Sequence, residues 1–243
     1  MRYLITFSYD GSNFSGYQKQ PNLRTIQGEI EKALNFISGG KKIEIHSSGR
    51  TDKKVHAYNQ KAHFDLDQNI TLYKLKSAIN TYTPNDIYIK NIKLVRNHFH
   101  ARYDVLKKIY IYKINIGDYN PIERNYIFQY NKLLDIDKLK TQVKNLIGTH
   151  DYSAFANKEE KKESYIRTIY DINLTKKNNI IYLKFIGNGF LKYQIRNMVG
   201  ALIECVTKDK NIIDILNSKK RSTYGKIAPP EGLYLYDVKY KKT

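Results

Sequence analysis

The chain has very little cysteine and no long apolar run. Its 243 residues include a single cysteine, Cys205, which excludes an internal disulfide framework and favours a reducing compartment. No apolar run approaches the roughly 18 to 20 residues that a membrane-spanning helix needs. The N-terminus lacks the small-residue cleavage site of a signal peptide. We therefore expect a soluble cytoplasmic protein with its own hydrophobic core.

Acidic residues are also scarce. Only 23 Asp and Glu stand against 42 Lys and Arg, which gives a formal net charge of +19. The basic residues are spread along the chain and not gathered in a tail, which favours a folded surface that binds nucleic acid. An anionic membrane is the rival partner, but the sequence has no basic amphipathic helix that would bind one.

The hydrophobic periodicity divides the chain into two similar halves. Residues 1–105 and 106–243 each alternate strand-like and helix-like segments in the order β-α-β-β-α-β, which is the ferredoxin-like arrangement. Thr25 and Asp135 are positioned to cap the first helix of each half. We predict an α+β fold in which the two halves join into one mainly antiparallel sheet, with a central cleft between them where active sites commonly lie.

One short loop places a carboxylate among cations. In "SSGRTDKKVHA", Asp52 follows Arg50 and precedes two lysines, within polar residues that end a strand. On spacing alone, the simpler interpretation is a turn aspartate that is ion-paired with nearby lysines. The alternative is a catalytic carboxylate held at the mouth of a cleft.

Seven sequence blocks that run nearly end to end favour the second interpretation. In chain order they are "YDGSNFSGYQKQP" with "TIQGEIEKAL", "GRTDKKVHAYNQKAHF", "INTYTPNDIYI", "FHARYDVLKKIYIYKI", "GTHDYSAFAN" with "SYIRTIY", "GNGFLKYQIRNMVG" and "APPEGLYLYDVKY". In content and order, these blocks resemble the TruA family of tRNA pseudouridine synthases.

The resemblance implies a role for five residues. Asp52 matches the catalytic aspartate, and the N-terminal half carries its loop. Tyr110 matches the tyrosine expected to stack on the target uracil, and Arg196 the arginine expected to pair with the aspartate. Arg50 matches a residue expected to help displace the target base from its stack. Leu233 would form part of the apolar wall of the pocket.

Taken without the resemblance, the substrate-binding residues have simpler interpretations. Tyr110 is one of 22 tyrosines and could be an ordinary strand residue. Arg196 could lie on a solvated helix face, and Arg50 could simply bind phosphate. Leu235 lies two residues beyond Leu233 and would share its face of the strand.

The isomerisation that the resemblance implies needs one carboxylate and no cofactor. Glycoside hydrolysis usually uses two carboxylates, one of which activates water. An isomerase retains the detached uracil, so Asp52 can serve alone, either by covalent attack or by taking a sugar proton. No metal is expected either. His98 and His100 lie two apart, but no acid or cysteine cluster completes a ligand set around them.

Two positions depart from the family pattern. Lys54 stands where the family usually has glycine. If the backbone there is left-handed, a side chain at this position raises the free energy of the folded state by roughly 1 to 2 kcal/mol relative to glycine. Tyr17 stands where tryptophan is usual.

The resemblance further implies the substrate and the assembly. We expect tRNA to be modified in its anticodon stem-loop, at uridines 38 to 40, by a homodimer. One alternative is a pseudouridine synthase with a different structured target, such as rRNA. The other is a non-catalytic RNA-binding or folding module, although binding alone would not need the carboxylate of Asp52.

Overall fold

The computed structural model describes residues 1–157, 163–221 and 225–241. Within them, the secondary-structure elements in chain order are β1 (Arg2–Tyr9), α1 (Ile26–Ile37), β2 (His46–Ser47), β3 (His56–Asp65), α2 (Leu72–Tyr82), β4 (Ile87–Val95), β5 (Val105–Asn115), β6 (Phe128–Gln129), α3 (Ile136–Lys144), β7 (Gly148–Asp151), β8 (Ile166–Lys177), β9 (Ile180–Gly187), α4 (Gln194–Thr207), α5 (Ile212–Ser218) and β10 (Leu233–Tyr240). The chain forms two compact units. The first comprises Met1–Leu106 together with the C-terminal residues from Tyr234, and the second comprises Lys107–Leu233.

The first unit is an antiparallel sheet with two helices. Strand β1 pairs with β4 on one side and β3 on the other, and the short β2 also pairs with β3. This is the strand order that a ferredoxin-like β-α-β-β-α-β segment produces. Strand β10 adds a parallel pairing at the start of β3, with Tyr234 opposite His56.

Helix α1 forms as the sequence predicts. Its N-terminus is capped by Thr25, whose side chain accepts a hydrogen bond from the Gly28 amide at 3.3 Å. Its apolar side chains recur at helical spacing and are buried, with Ile30 and Leu34 fully inaccessible.

The second unit is an antiparallel sheet in the order β5-β9-β8-β7, with β6 pairing in parallel with β5. The predicted hairpin around "TKKNN" is confirmed. Lys177 lies opposite Ile180, and Asn178 takes a positive φ of 53° between them. Asp135 caps α3 as predicted, since its carboxylate accepts from two amides of the first turn.

The α+β prediction is confirmed, but three details differ from it. The predicted strand "KKIEIHSS" is reduced to two residues. Its amides bond to α1 side chains instead, Ile43 to Asn35 at 2.7 Å and Ile45 to Glu31 at 3.2 Å. Helix α5 was not predicted, because it is only seven residues long. Strand β10 was expected in the second half, but all of it after its first residue, Leu233, lies in the first unit.

Candidate active site

The aspartate loop, residues 48–55, connects β2 to β3 in the first unit. Its first residues are attached to β3 by a buried glutamine. The Ser48 hydroxyl donates to Gln60 Oε1 at 2.6 Å, and Gln60 Nε2 donates to the Gly49 carbonyl at 2.9 Å. Both side chains are fully inaccessible. A buried amide with both ends bonded fixes the loop entry to the sheet.

The segment after β1 supports the other side of the loop. The Tyr17 amide donates to the Thr51 carbonyl at 3.1 Å, and the Thr51 hydroxyl shares a 2.7 Å hydrogen bond with Tyr9. Two glycines allow the close approach. A Cβ on Gly11 would lie 2.1 Å from the Val55 carbonyl oxygen, and one on Gly16 would lie 3.3 Å from the Thr51 oxygen. The N-terminal block therefore packs directly against the loop backbone.

Asp52 lies on this fixed loop and is half-buried. Burial raises the pKa of Tyr9, and the nearby charge of Asp52 raises it further. Arg50, Lys53 and Lys54 are exposed around the carboxylate. Lys54 has a φ of 64°, so the backbone at this position is left-handed.

His56 supports the end of the loop. Its Nδ1 accepts a hydrogen bond from the Gly11 amide at 3.1 Å, and its ring stacks on Tyr234 with centroids 4.7 Å apart. Asp10 Oδ1 lies 3.2 Å from the same nitrogen.

In the second unit, Tyr110 lies on β5 with its side chain buried. Its ring meets the edge of Phe190 with centroids 5.3 Å apart and an interplanar angle of 82°. This edge contact sets the orientation of the Tyr110 ring.

Arg196 lies in the first turn of α4 and is bound to a later segment of the chain. Its Nε donates to the Ala228 carbonyl at 2.9 Å, and the Ala228 amide donates to the Arg196 carbonyl at 3.1 Å. The guanidinium carbon also lies 5.3 Å from the centre of the Tyr193 ring. The side chain is thus oriented by a backbone carbonyl.

Residues 225–229 form this segment, which we call the arginine clamp. The Gly225 amide donates to Glu204 at 2.6 Å, and the Tyr112 hydroxyl donates to the Pro229 carbonyl at 2.6 Å. Hydrogen bonds from Lys210 and the Gly225 amide lower the pKa of Glu204 to about 2. Helix α4 approaches closely at Gly200, where a Cβ would lie 2.1 Å from the Lys226 carbonyl oxygen.

Leu233 begins β10 directly after the clamp and a 3-10 turn, Pro230–Gly232. Leu233 and Leu235 are both buried. The structure thus places Arg50 and Asp52 on one loop of the first unit. Tyr110, Arg196 and Leu233 lie in the second.

The clamp was not predicted, although the sequence contained one signal. A glycine in a helix interior costs roughly 1 kcal/mol relative to alanine, so Gly200 indicated a close contact. Its partner at Lys226 could not be identified, because the contact is not local.

Two further histidines act as hydrogen-bond acceptors, one near the C-terminal end of β3 and one after β4. His63 Nδ1 accepts from the Ala101 amide and His100 Nδ1 from the Arg102 amide, each at 3.1 Å. The described residues contain no group of three or more His, Cys, Asp or Glu arranged to hold a metal ion. Within the same residues, no helix combines the length and the apolar character needed to cross a membrane.

Comparison with known proteins identifies the family. A family model described as tRNA pseudouridine synthase matches residues 5–104 and 143–241. The chain belongs to the tRNA pseudouridine synthase family. The resemblance inferred from the seven blocks is therefore confirmed, and so is the prediction that the chain is an isomerase of this family.

Individual relatives align over almost the entire chain. The chain is 40% identical to tRNA pseudouridine synthase A 1 of Bacillus cereus, over 98% of both proteins. It is 42% identical to tRNA pseudouridine synthase A of Streptococcus agalactiae, over 99% of this chain and 95% of the relative. The synthase of Limosilactobacillus reuteri is 40% identical over 98% and 96%. Among solved structures, a Cbf5-Nop10-Gar1 complex aligns with a TM-score of only 0.34 and 12% identity, over 81% of this chain and 53% of that chain.

Proposed function

We propose that the protein converts uridine to pseudouridine in the anticodon stem-loop of tRNA, at positions 38 to 40. The observation that carries the proposal is the half-buried Asp52 on a loop fixed from both sides by Gln60 and the N-terminal glycines. Holding a reactive group in one geometry lowers the barrier of a reaction whose substrate must be turned within the site.

The reaction breaks the C1′–N1 bond of the uridine and joins C1′ to C5 of the same uracil, after which C5 loses its proton and N1 gains one. Asp52 acts either as a nucleophile or as the base that removes a sugar proton. Nothing is oxidised or reduced, so the reaction needs no redox cofactor.

The remaining site residues bind the substrate. Tyr110 stacks on the uracil, and Leu233 forms part of an apolar wall. Stacking on an aromatic ring contributes roughly 1 to 3 kcal/mol per base, which offsets much of the cost of removing the base from the RNA stack. Arg196 pairs with Asp52 and favours its ionised form. Arg50 helps to displace the target base.

A homodimer and a cytoplasmic location belong to the same proposal. The formal net charge of +19 suits a tRNA partner, and the single cysteine, which is buried, suits a reducing compartment. Light scattering of the full-length protein tests the dimer.

The first test is tritium release from tRNA that contains 5-tritiated uridine. We expect the wild type to release tritium and Asp52→Asn to release none while still binding tRNA, because asparagine keeps the shape and removes the charge. Asp67→Asn is the matched control, since Asp67 is exposed on the same unit and lies outside the loop.

Two outcomes would contradict the proposal. Unchanged release by Asp52→Asn would exclude the catalytic role of that residue. No release by a wild-type protein that binds tRNA would exclude tRNA as substrate. Mapping pseudouridine in cellular RNA with and without the gene would then show whether rRNA is the target.

A further inference from the structure

Lys54 occupies a backbone conformation that lysine rarely adopts. The Val55 amide donates to the Asp52 carbonyl at 3.1 Å, so residues 52–55 form a hydrogen-bonded turn with Lys54 in its third position. Its φ is 64°, whereas Lys53 before it is not in the positive-φ region. A turn of this kind usually has glycine in the third position, because any side chain there adds steric strain.

Among the described residues, no contact compensates for this strain. The Lys54 side chain is exposed, and it makes no hydrogen bond, ion pair or ring contact with the residues that the structure describes. The other positive-φ residues with side chains are of different kinds. Four are Asn or Asp, whose short polar side chains tolerate this conformation: Asn22, Asn131, Asn178 and Asp209.

In the part of the chain that the structure describes, the two remaining positive-φ residues with side chains lie at helix termini. Tyr193 precedes α4, and its ring lies near the cations of Lys192 and Arg196 at 5.2 and 5.3 Å. Lys219, with a φ of 53°, ends α5, where left-handed residues commonly terminate helices. Lys54 does not end a helix. It lies in the aspartate loop, two residues after Asp52.

The neighbours of Lys54 indicate what its charge is for. Arg50 and Lys53 are also exposed, and neither pairs with an acid among the described residues. Three unpaired cations within five residues repel one another, and the one carboxylate among them is half-buried. An anion from outside the protein relieves this repulsion, and RNA brings a phosphate with every nucleotide.

We propose that Lys54 binds a backbone phosphate of the RNA beside the reacting uridine, and that this contact offsets the strain of the turn. The inference rests on the proposed function, since it requires RNA at the aspartate loop. Strain that persists at a functional site in this way is a general pattern. Lys54 therefore binds and positions substrate, and it takes no part in the chemical step.

Lys54→Gly has opposite effects on stability and on RNA binding. It relieves the strain of the turn, which favours the folded state, and it removes the cation, which weakens binding. We expect its melting temperature to equal or exceed that of the wild type. We expect the Kd for fluorescently labelled tRNA at physiological salt to rise about 3- to 10-fold. The slope of log K against log salt concentration should become shallower by about 1, as for the loss of one phosphate contact.

Two further variants serve as controls. Lys219→Gly makes the same substitution at a left-handed lysine outside the site, so its salt slope and Kd should match the wild type. Lys54→Arg keeps the cation and should retain the wild-type slope. An unchanged slope and Kd in Lys54→Gly would overturn the inference, and so would an equal loss in Lys219→Gly.

Failure of the proposed function gives a different result. Binding is measured without turnover. A wild type that binds tRNA but releases no tritium would therefore contradict the proposed function. The salt dependence of binding by Lys54→Gly would still test the phosphate contact. A wild type that binds no RNA at all would overturn both.

Discussion

Gly11 sets how closely the N-terminal segment approaches the aspartate loop. At 2.1 Å from the Val55 oxygen, a Cβ would overlap the loop backbone, and backbone cannot rotate away as a side chain can. We predict that Gly11→Ala displaces the loop and lowers kcat by about 10- to 100-fold, because misplacement by about 1 Å has effects of that size. The melting temperature should fall too. Tritium-release kinetics and thermal unfolding measure both.

Gly189→Ala is the control for this substitution. There an added methyl meets only the Arg167 side chain, at 4.0 Å, so activity and melting temperature should hardly change. Wild-type kcat in Gly11→Ala would show that the loop does not depend on this contact.

The arginine clamp links helix α4 to the last part of the second unit. Gly200 allows residues 226–228 to lie against the helix, and the Ala228 carbonyl then holds Arg196. We predict that Gly200→Ala lowers kcat by about 10-fold or more with little change in KM, because it moves the carbonyl that orients Arg196 while leaving RNA contacts in place.

A double-mutant cycle tests whether the clamp acts through the arginine. Arg196→Lys keeps the charge but loses the hydrogen bond from Nε to Ala228. If the two residues act together, Gly200→Ala should add little to the loss already caused by Arg196→Lys. If the loss of activity in the double variant equals the product of the two single losses, the clamp affects activity by a route that does not involve Arg196.

Sequence patterns predicted the local elements better than the contacts between them. The caps at Thr25 and Asp135 and the β8–β9 hairpin follow from short-range rules that involve neighbouring residues. The strand expected at "KKIEIHSS" was largely lost because Asn35 and Glu31, on a helix, compete for its amides. That competition depends on tertiary packing, which periodicity does not encode.

The same distinction applies to the candidate site. The exposed loop around Asp52 could be predicted from its glycine and polar residues, and the role of Asp52 came from the resemblance. The support of that loop by Gln60 and Gly11 could not be predicted, because neither contact follows from short-range rules: Gln60 reaches Gly49 from a strand, and Gly11 approaches Val55 from a distant segment. The roles of Tyr110, Arg196, Arg50 and Leu233 stay predictions that the proposed experiments test.

For the whole molecule, one buried histidine makes stability depend on pH. Burial and the neighbouring His100 and His46 lower the pKa of His63 to about 4, below its ordinary value of 6.5. Between these values the unfolded chain binds more protons than the folded one, so the free energy of unfolding falls as pH drops from about 6.5 to 4. The loss should be roughly 1 to 3 kcal/mol.

Urea unfolding at several pH values measures this dependence. His63→Gln does not titrate, so its profile should be flatter over that interval. His98→Gln, at an exposed histidine, should keep the wild-type profile. A His63→Gln profile identical to that of the wild type would contradict the prediction.

Strand β10 has a consequence for synthesis of the protein on the ribosome. The first unit contains residues from both ends of the chain, and Asn59 on β3 bonds to Tyr236, 177 positions later. Translation delivers those last residues only after the whole second unit has emerged. Until then His56 lacks its stacking partner Tyr234, and the loop that carries Asp52 lacks part of its support. A nascent chain that has not yet reached β10 therefore leaves the loop that carries Asp52 without part of its support.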